Sequence, residues 1–329
     1  WAARLGATGR RADAGLLNGF CMLLSRDAID AVGLLDEATY PGGYGEENDW
    51  AVRARRAGWG LAVVPGVHLF HAKTHSARDF PRGKKSAKYL LVSLEQEKYA
   101  PLLRNPNYVK RFDYVMTYNL DSHLPMITVH PHWNASVYFA AKGLPWAQKK
   151  NAVAAFVSNC RNAGAEQRLK LLEELGKHYE VHSYGRCLHN RDEPPLKKGE
   201  SRGEAKRKLL ASYKFSLAFE NAVVGDYVSE KVYDALLAGS LPLYRGAKRV
   251  DDLLPSPKSV VKFSDFQDDA RKLAGHLEYL ASNQEAYDEY FAWKRTGDMA
   301  AFDRVLDMTA YKYTALCRVC ARLAQDLPV

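Results

Sequence analysis

From about residue 150 the chain alternates short apolar runs with amphipathic stretches. NAVAAFVSN, YEVHSYG, KFSLAFE, LPLYRG and SVVKF read as strands. Between them AEQRLKLLEEL, GEAKRKLLASY and VSEKVYDALLAG carry helical spacing, the first ending at Gly176 and the last at Gly239. Everything after SVVKF reads as helical. Strands alternating with helices of this length imply an α/β fold with a parallel, doubly wound sheet. Ligands of such sheets sit outside the carboxyl ends of the strands.

Residues 16–76 repeat the alternation in shorter pieces. GFCMLLS reads as a buried strand, RDAIDAVG as a short helix and LAVVP as another strand. EENDWAVRARRAG starts acidic and ends basic, as a helix dipole favours, and Gly58 closes it. RDFPRGKKSAK is polar and basic, with Pro81 and Gly83, and reads as a linker near residues 77–88.

The chain has 329 residues, 47% of them hydrophobic, which suffices for two α/β domains with cores. No run of about 18 apolar residues occurs, so no membrane span is expected within it. It starts at Trp1 without a signal-like segment and reads as a fragment or processed chain, so any membrane anchor would lie outside it. The net charge of +9 is scattered rather than striped and accompanies no nucleic-acid-binding motif. An anionic small ligand, such as a nucleotide diphosphate, is the better use of local positive charge.

Cys21, Cys160, Cys187, Cys317 and Cys320 are too few, and odd in number, for a disulfide scaffold. Cys317 and Cys320 form a C-x-x-C without the two further ligands of a zinc site, which leaves a local disulfide or free thiols. Asn134-Ala135-Ser136 is a glycosylation sequon and points toward a secretory location.

The informative stretch is FSLAFENAVVGDYVSEKVYDALLAGSLPLYRGA, residues 215–247. An apolar strand delivers Glu220 and Asn221 to a loop, and a helix starts near Ser229. Free N–H groups and the dipole at such a start bind anions. Lys231 adds a cation, Tyr227 a flat face and a hydroxyl, Asn221 and Glu230 hydrogen-bonding groups. The competing reading makes Glu230 and Lys231 ordinary solvated helix residues.

F-E-N, five residues, Y-V-S-E-K and then DALLAGSLPLYRGA closely resembles the donor-site signature of the α1,3-fucosyltransferases (glycosyltransferase family 10). FVSNC and SYGRC resemble upstream motifs of that family, and the likeness runs over about residues 88–329. It implies a GT-B type, Rossmann-like donor domain over residues 147–329, preceded by a remnant of the acceptor-side domain over 89–146. It also implies an inverting enzyme that moves L-fucose from GDP-fucose to a hydroxyl of a glycan acceptor, in α1,3 linkage. Asn221, Tyr227, Glu230 and Lys231 match the family's donor-binding positions, and Arg168 matches the arginine that meets the diphosphate. Glu95, in LVSLEQEKYAP before RFDYVMTYNLDSH, matches the carboxylate that acts as base; Glu97 is its competitor. Where the family reads Y-R-x-D-S-D, this chain has Tyr118, Asn119, Leu120, Asp121, Ser122 and His123.

Residues 16–76 resemble instead the closing part of a family 2, GT-A type glycosyltransferase, without its first half and its D-x-D. That likeness makes Glu47 a base, with Glu46 and Asp49 beside it, and lets His71 or His75 meet a metal or diphosphate. His68, His71 and His75 are weighed as a metal cluster against ordinary loop histidines. The resemblances together imply no required metal or cofactor, with Mn or Mg as a stimulant, and no nucleic-acid partner. They imply a Golgi or other secretory-pathway lumen, with membrane attachment only through an anchor outside this chain. The alternatives are a non-catalytic GDP-sugar-binding module or a family 2 transferase fragment.

Overall fold

The computed structural model describes residues 12–13, 24–36, 46–63, 67–71, 88–94, 100–129, 134–161 and 165–309, with scattered positions between 315 and 325. The chain divides into two compact units: Trp1–Ser93 with Ala100–Met116, and Leu94–Tyr99 with Thr117–Val329.

In the first unit β1 (Ala12–Asp13) pairs antiparallel with β2 (Ala62–Val63), and between them lie α1 (Arg26–Val32) and α2 (Glu46–Arg56). The Ser25 hydroxyl caps α1 by accepting the Ala28 N–H at 3.1 Å. Trp50, Ala51 and Ala54 form the inner face of α2 and pack with Ala28 and Leu61. Arg53 ties α2 to the end of α1, donating to the carbonyls of Val32 at 2.7 Å and Leu34 at 3.0 Å.

A second sheet in this unit joins β3 (Val67–His71), β4 (Lys88–Ser93) and β5 (Tyr114–Thr117), with α3 (Pro106–Val109) before β5. β3 and β4 run parallel, Val67 opposite Lys88 and His71 opposite Val92. The Asp113 carboxylate accepts the Tyr89 N–H at 2.9 Å, and Tyr89 and Leu91 pack with Tyr108 and Phe112. One sheet therefore draws β3 from the stretch expected to be family 2-like and β4 from the stretch expected to be acceptor-side remnant. Lys88, expected to end the linker, opens β4.

The second unit is the doubly wound domain. After α4 (Ala135–Ala140) come β6 (Lys150–Ala155), α5 (Ala165–Gly176), β7 (Val181–Ser183), α6 (Arg202–Ala211), β8 (Tyr213–Phe219), α7 (Glu230–Ala238), β9 (Leu241–Arg245) and β10 (Val261–Lys262). Helices α8 (Ala270–Ser282), α9 (Gln284–Glu289), α10 (Trp293–Thr296) and α11 (Met299–Leu306) follow. The sheet order is β10-β9-β8-β6-β7, every pairing parallel. All seven residues of β8 are buried, as a central strand covered on both faces requires. Val153, Phe215, Leu241, Leu243, Leu273 and Leu277 fill one face, each contributing about 1.5–3 kcal/mol by its burial. Val232, Tyr233 and Leu236 of α7 fill the other, with Tyr138 and Phe302. Gly239, left-handed at φ +69, ends α7 and lets β9 begin two residues later.

Two lysines stand at the amino end of this sheet. Lys149 donates to the Gly239 carbonyl, and Lys294 donates to the Ala141 carbonyl. Burial, helped by the nearby Lys294 cation, pushes the Lys149 ammonium down to about 8, and burial pushes Lys294 down to about 8 as well.

Candidate functional site

Strand order reverses between β6 and β8, since β6 is followed in sequence by β7 on one side and lies beside β8 on the other. Open sheets of this type bind ligands at the carboxyl ends flanking such a reversal. Arg168, projecting from α5, spans it. The guanidinium donates to the Asn159 carbonyl after β6 at 3.0 Å, to Asn221 Oδ1 after β8 at 2.6 Å and to the Phe219 carbonyl at 3.4 Å. The residue is 2% exposed. A planar fork with several fixed donors suits this role, which one ammonium could not fill.

The loops after β6 and β7 are fastened to each other. Cys160 and Cys187 form a disulfide, the Cys187 N–H donates to the Val157 carbonyl at 2.9 Å, and Arg186 donates to the Ser158 carbonyl at 2.8 Å. Gly185 lies so close to the other loop that a Cβ there would stand 2.2 Å from the Val157 carbonyl oxygen. FVSNC and SYGRC are thus two halves of one clasp. Cys317 and Cys320 fall outside the described residues.

The loop from β8 to α7 is organised by Glu220. Its carboxylate is 1% exposed and accepts from the Ser229 N–H at 2.7 Å, from the Ser229 hydroxyl at 2.8 Å and from Lys231 Nζ at 3.1 Å. Lys231 also donates to Ser229 Oγ at 2.6 Å and lies 3.5 Å from Glu230. Ser229 therefore starts α7 without the usual side-chain cap, because its hydroxyl is committed to Glu220. Burial opposes charge on Lys231, but the carboxylates of Glu220 and Glu230 outweigh it and hold the ammonium above its ordinary value. Burial likewise opposes charge on Glu230, and Lys231 with Lys206 outweighs it, leaving the carboxyl below its usual range. Near neutral pH this helix start presents a fixed ammonium and an ionised carboxylate. Such a pair can accept and donate hydrogen bonds but cannot deliver a proton.

Tyr227 sits in the same loop, 9% exposed, with its ring edge-on to Tyr118 at 5.4 Å. The Leu120 N–H donates to the buried Asp226 carboxylate at 2.8 Å, and Arg249 bridges to Asp121 at 3.2 Å. The Tyr118–Asp121 segment is thereby laid across the loop that carries Tyr227, despite its departure from the family's Y-R-x-D-S-D.

Of the residues singled out from sequence, Arg168 and Asn221 are bonded to each other, and Tyr227, Glu230 and Lys231 share the loop and helix start beside them. Glu95 and Glu97 lie outside the described residues, as does His75. Glu46 and Glu47 open α2 and His68 and His71 lie on β3; their side chains lie outside the described set. Asp49 accepts from Arg53 at 2.7 Å. Among the described residues, no group of three or more His, Cys, Asp or Glu could hold a metal ion, and no helix is long and apolar enough to cross a membrane. In sequence Glu220 reaches the loop without a role, and neither Asp226 nor the Cys160–Cys187 pair stands out. The available signals were an acidic residue ending an otherwise apolar strand, and a cysteine closing each of two strand-end motifs.

A parallel, doubly wound sheet with its loops gathered at the order reversal is the architecture of an α/β ligand-binding domain. The chain belongs to glycosyltransferase family 10: the model for the C-terminal part of that fucosyltransferase family matches residues 146–328, more than half of the chain. It is 32% identical over 280 residues to GDP-fucose protein O-fucosyltransferase 3 of Gallus gallus, covering 79% of this chain and 58% of the relative. It is 31% identical over 251 residues to alpha-(1,3)-fucosyltransferase B of Drosophila melanogaster, covering 72% of this chain and 54% of the relative. The chain thus spans about half the length of the curated relatives it matches. A crystal structure of an alpha1,3-fucosyltransferase aligns with 69% of this chain and 76% of its own, at 20% identity and a TM-score of 0.47.

Proposed function

We propose that this chain is the donor-binding part of an inverting fucosyltransferase that moves L-fucose from GDP-fucose to a sugar hydroxyl of a glycan acceptor. The observation that carries the reading is the pairing of Arg168 with Asn221 at the order reversal of a family 10 chain, beside the Glu230–Lys231 helix start. As the bond from fucose C1 to the diphosphate oxygen breaks, negative charge gathers on GDP. Arg168 and Lys231 stabilise that charge, through bonds shorter and stronger than neutral ones. Glu230, held ionised, accepts from donor hydroxyls, and Asn221 with Tyr227 orients the donor. Glu95 takes the acceptor proton, with Glu97 next in line. No metal is required in this reading, and Mn or Mg would act as a stimulant.

The linkage is α1,3 in this reading, and the names of the relatives bring in a protein hydroxyl as a second class of acceptor. The setting is the Golgi or another secretory lumen, with membrane attachment only through an anchor outside this chain; the Cys160–Cys187 disulfide supports an oxidising compartment. Residues 16–76 are read as a family 2 remnant retained for the strand β3 it supplies. In that remnant Glu47 and His71 are inherited positions, and the Asp49–Arg53 pair holds the helix.

The test is calorimetry of residues 117–329 with GDP and GDP-fucose, followed by transfer of labelled fucose by the whole chain to glycan and peptide acceptors. A well-folded sample that gives no heat with either nucleotide overturns the donor assignment. Glu95→Gln should keep donor binding and lower transfer by about a hundredfold or more. Binding without transfer to any acceptor leaves the non-catalytic module as the reading.

A further inference from the structure

The sequon at Asn134 plays no part in the chemistry above. Asn134 and Ser136 are exposed, and Val137 beside them is 38% exposed. The residue between, Ala135, is fully buried, and its N–H donates to the Asp303 carboxylate at 2.6 Å. The backbone is therefore pinned to α11 while the two sequon side chains face water.

Among the described residues, Asn134 bonds through its carbonyl oxygen. Oδ1 accepts from the Ser136 hydroxyl at 2.6 Å and from the Val137 N–H at 3.4 Å. An oxygen acts as acceptor only, so neither of these bonds occupies the amide nitrogen. A glycan on that nitrogen would disturb neither the local bonding nor the packing of Tyr138, which is fully buried one turn on.

We infer that Asn134 is N-glycosylated by oligosaccharyl transfer in the lumen where the Cys160–Cys187 disulfide forms. The co-reactant is a lipid diphosphate-linked oligosaccharide. Asn134 Nδ2 forms a bond to the anomeric carbon, the bond from that carbon to the diphosphate oxygen breaks, the lipid diphosphate leaves with the electron pair, and Nδ2 gives up one proton. Ser136 is a positioning residue: its hydroxyl holds Oδ1 and makes the amide recognisable. The inference rests on the secretory-lumen reading above.

The protein is to be isolated from the cells that make it, with thiols blocked at lysis, and treated with peptide-N-glycosidase. The expected results are a rise in gel mobility and a peptide carrying Asp at position 134 where the gene encodes Asn. Ser136→Ala should abolish the shift while leaving Asn134 and its bond to the Val137 N–H in place; Ser136→Thr should preserve the shift. Recovery of Asn134 unmodified overturns the inference. If the Cys160 and Cys187 peptides are then still linked, the chain reached an oxidising lumen and glycosylation alone is wrong. If both thiols are blocked, the lumen reading falls with it.

Discussion

Arg168 and Asn221 meet at 2.6 Å across the reversal of strand order, so a residue of α5 holds the loop that leaves β8. The contact joins two sequence motifs separated by some fifty positions. It also means that the arginine matched to the diphosphate is part of the framework of the site. Arg168→Ala should therefore lower stability by about 2–4 kcal/mol, through the loss of several buried charged bonds. Urea denaturation measures this directly. Asn221→Ala is the cleaner probe of donor binding, because Arg168 keeps its two backbone carbonyls.

Glu220 and Lys231 should prove strongly coupled. Glu220→Ala leaves Lys231 and the Ser229 N–H facing a void and should cost about 3–5 kcal/mol. A double-mutant cycle with Glu220→Gln and Lys231→Met should give an interaction of about 1–3 kcal/mol. Additive losses in that cycle would mean that the 3.1 Å contact contributes nothing.

Stability should rise between about pH 8 and pH 10. Lys149 and Lys294 titrate near 8 in the folded protein, whereas unfolded lysines hold their protons to about 10.4. In that window the unfolded state binds more protons, so stability grows with pH. Allowing for solvent screening, the pair should add on the order of 1–2 kcal/mol. Above about pH 10 the trend reverses, because burial keeps Tyr138, Tyr233, Tyr244 and Tyr287 protonated while unfolded tyrosines ionise near 10. Thermal melts across this range should show a maximum, and replacing both lysines with methionine should flatten the rise.

Gly185→Ala should damage the clasp between the β6 and β7 loops. Its Cβ would stand 2.2 Å from the Val157 carbonyl oxygen, which is backbone and cannot swing aside. The cost should be about 1–3 kcal/mol, the usual range for forced overpacking. Reducing the disulfide should cost about 3–4 kcal/mol for the loop it closes. Chemical denaturation of the variant with the bridge intact and then reduced separates the two losses.

The doubly wound half was legible because its central strands are apolar runs and its helices carry visible stops, such as Gly239 after α7. The string matched to a donor site was legible in sequence, and the structure places Arg168, Asn221, Tyr227, Glu230 and Lys231 at one end of one sheet. What the string could not convey is which charges are buried. Glu220 and Glu230 look alike in sequence, yet the first is enclosed and holds the helix start together. Pairing between distant segments was hidden for a similar reason. Linking Cys160 to Cys187 requires knowing that β6 and β7 are neighbours, and setting β3 beside β4 requires seeing past a polar stretch that reads as a linker.

The parallel pairing of β3 with β4 bears on how the chain can be cut. A boundary placed in the apparent linker at 77–88 would strip five residues from one side of β4 and leave its N–H and C=O groups bare. Exposed edges of that kind recruit strands from other molecules and seed aggregates. A shortened protein that starts at residue 118 discards the whole small sheet and avoids the open edge. Sedimentation of the two truncations side by side should find the first associating and the second monodisperse.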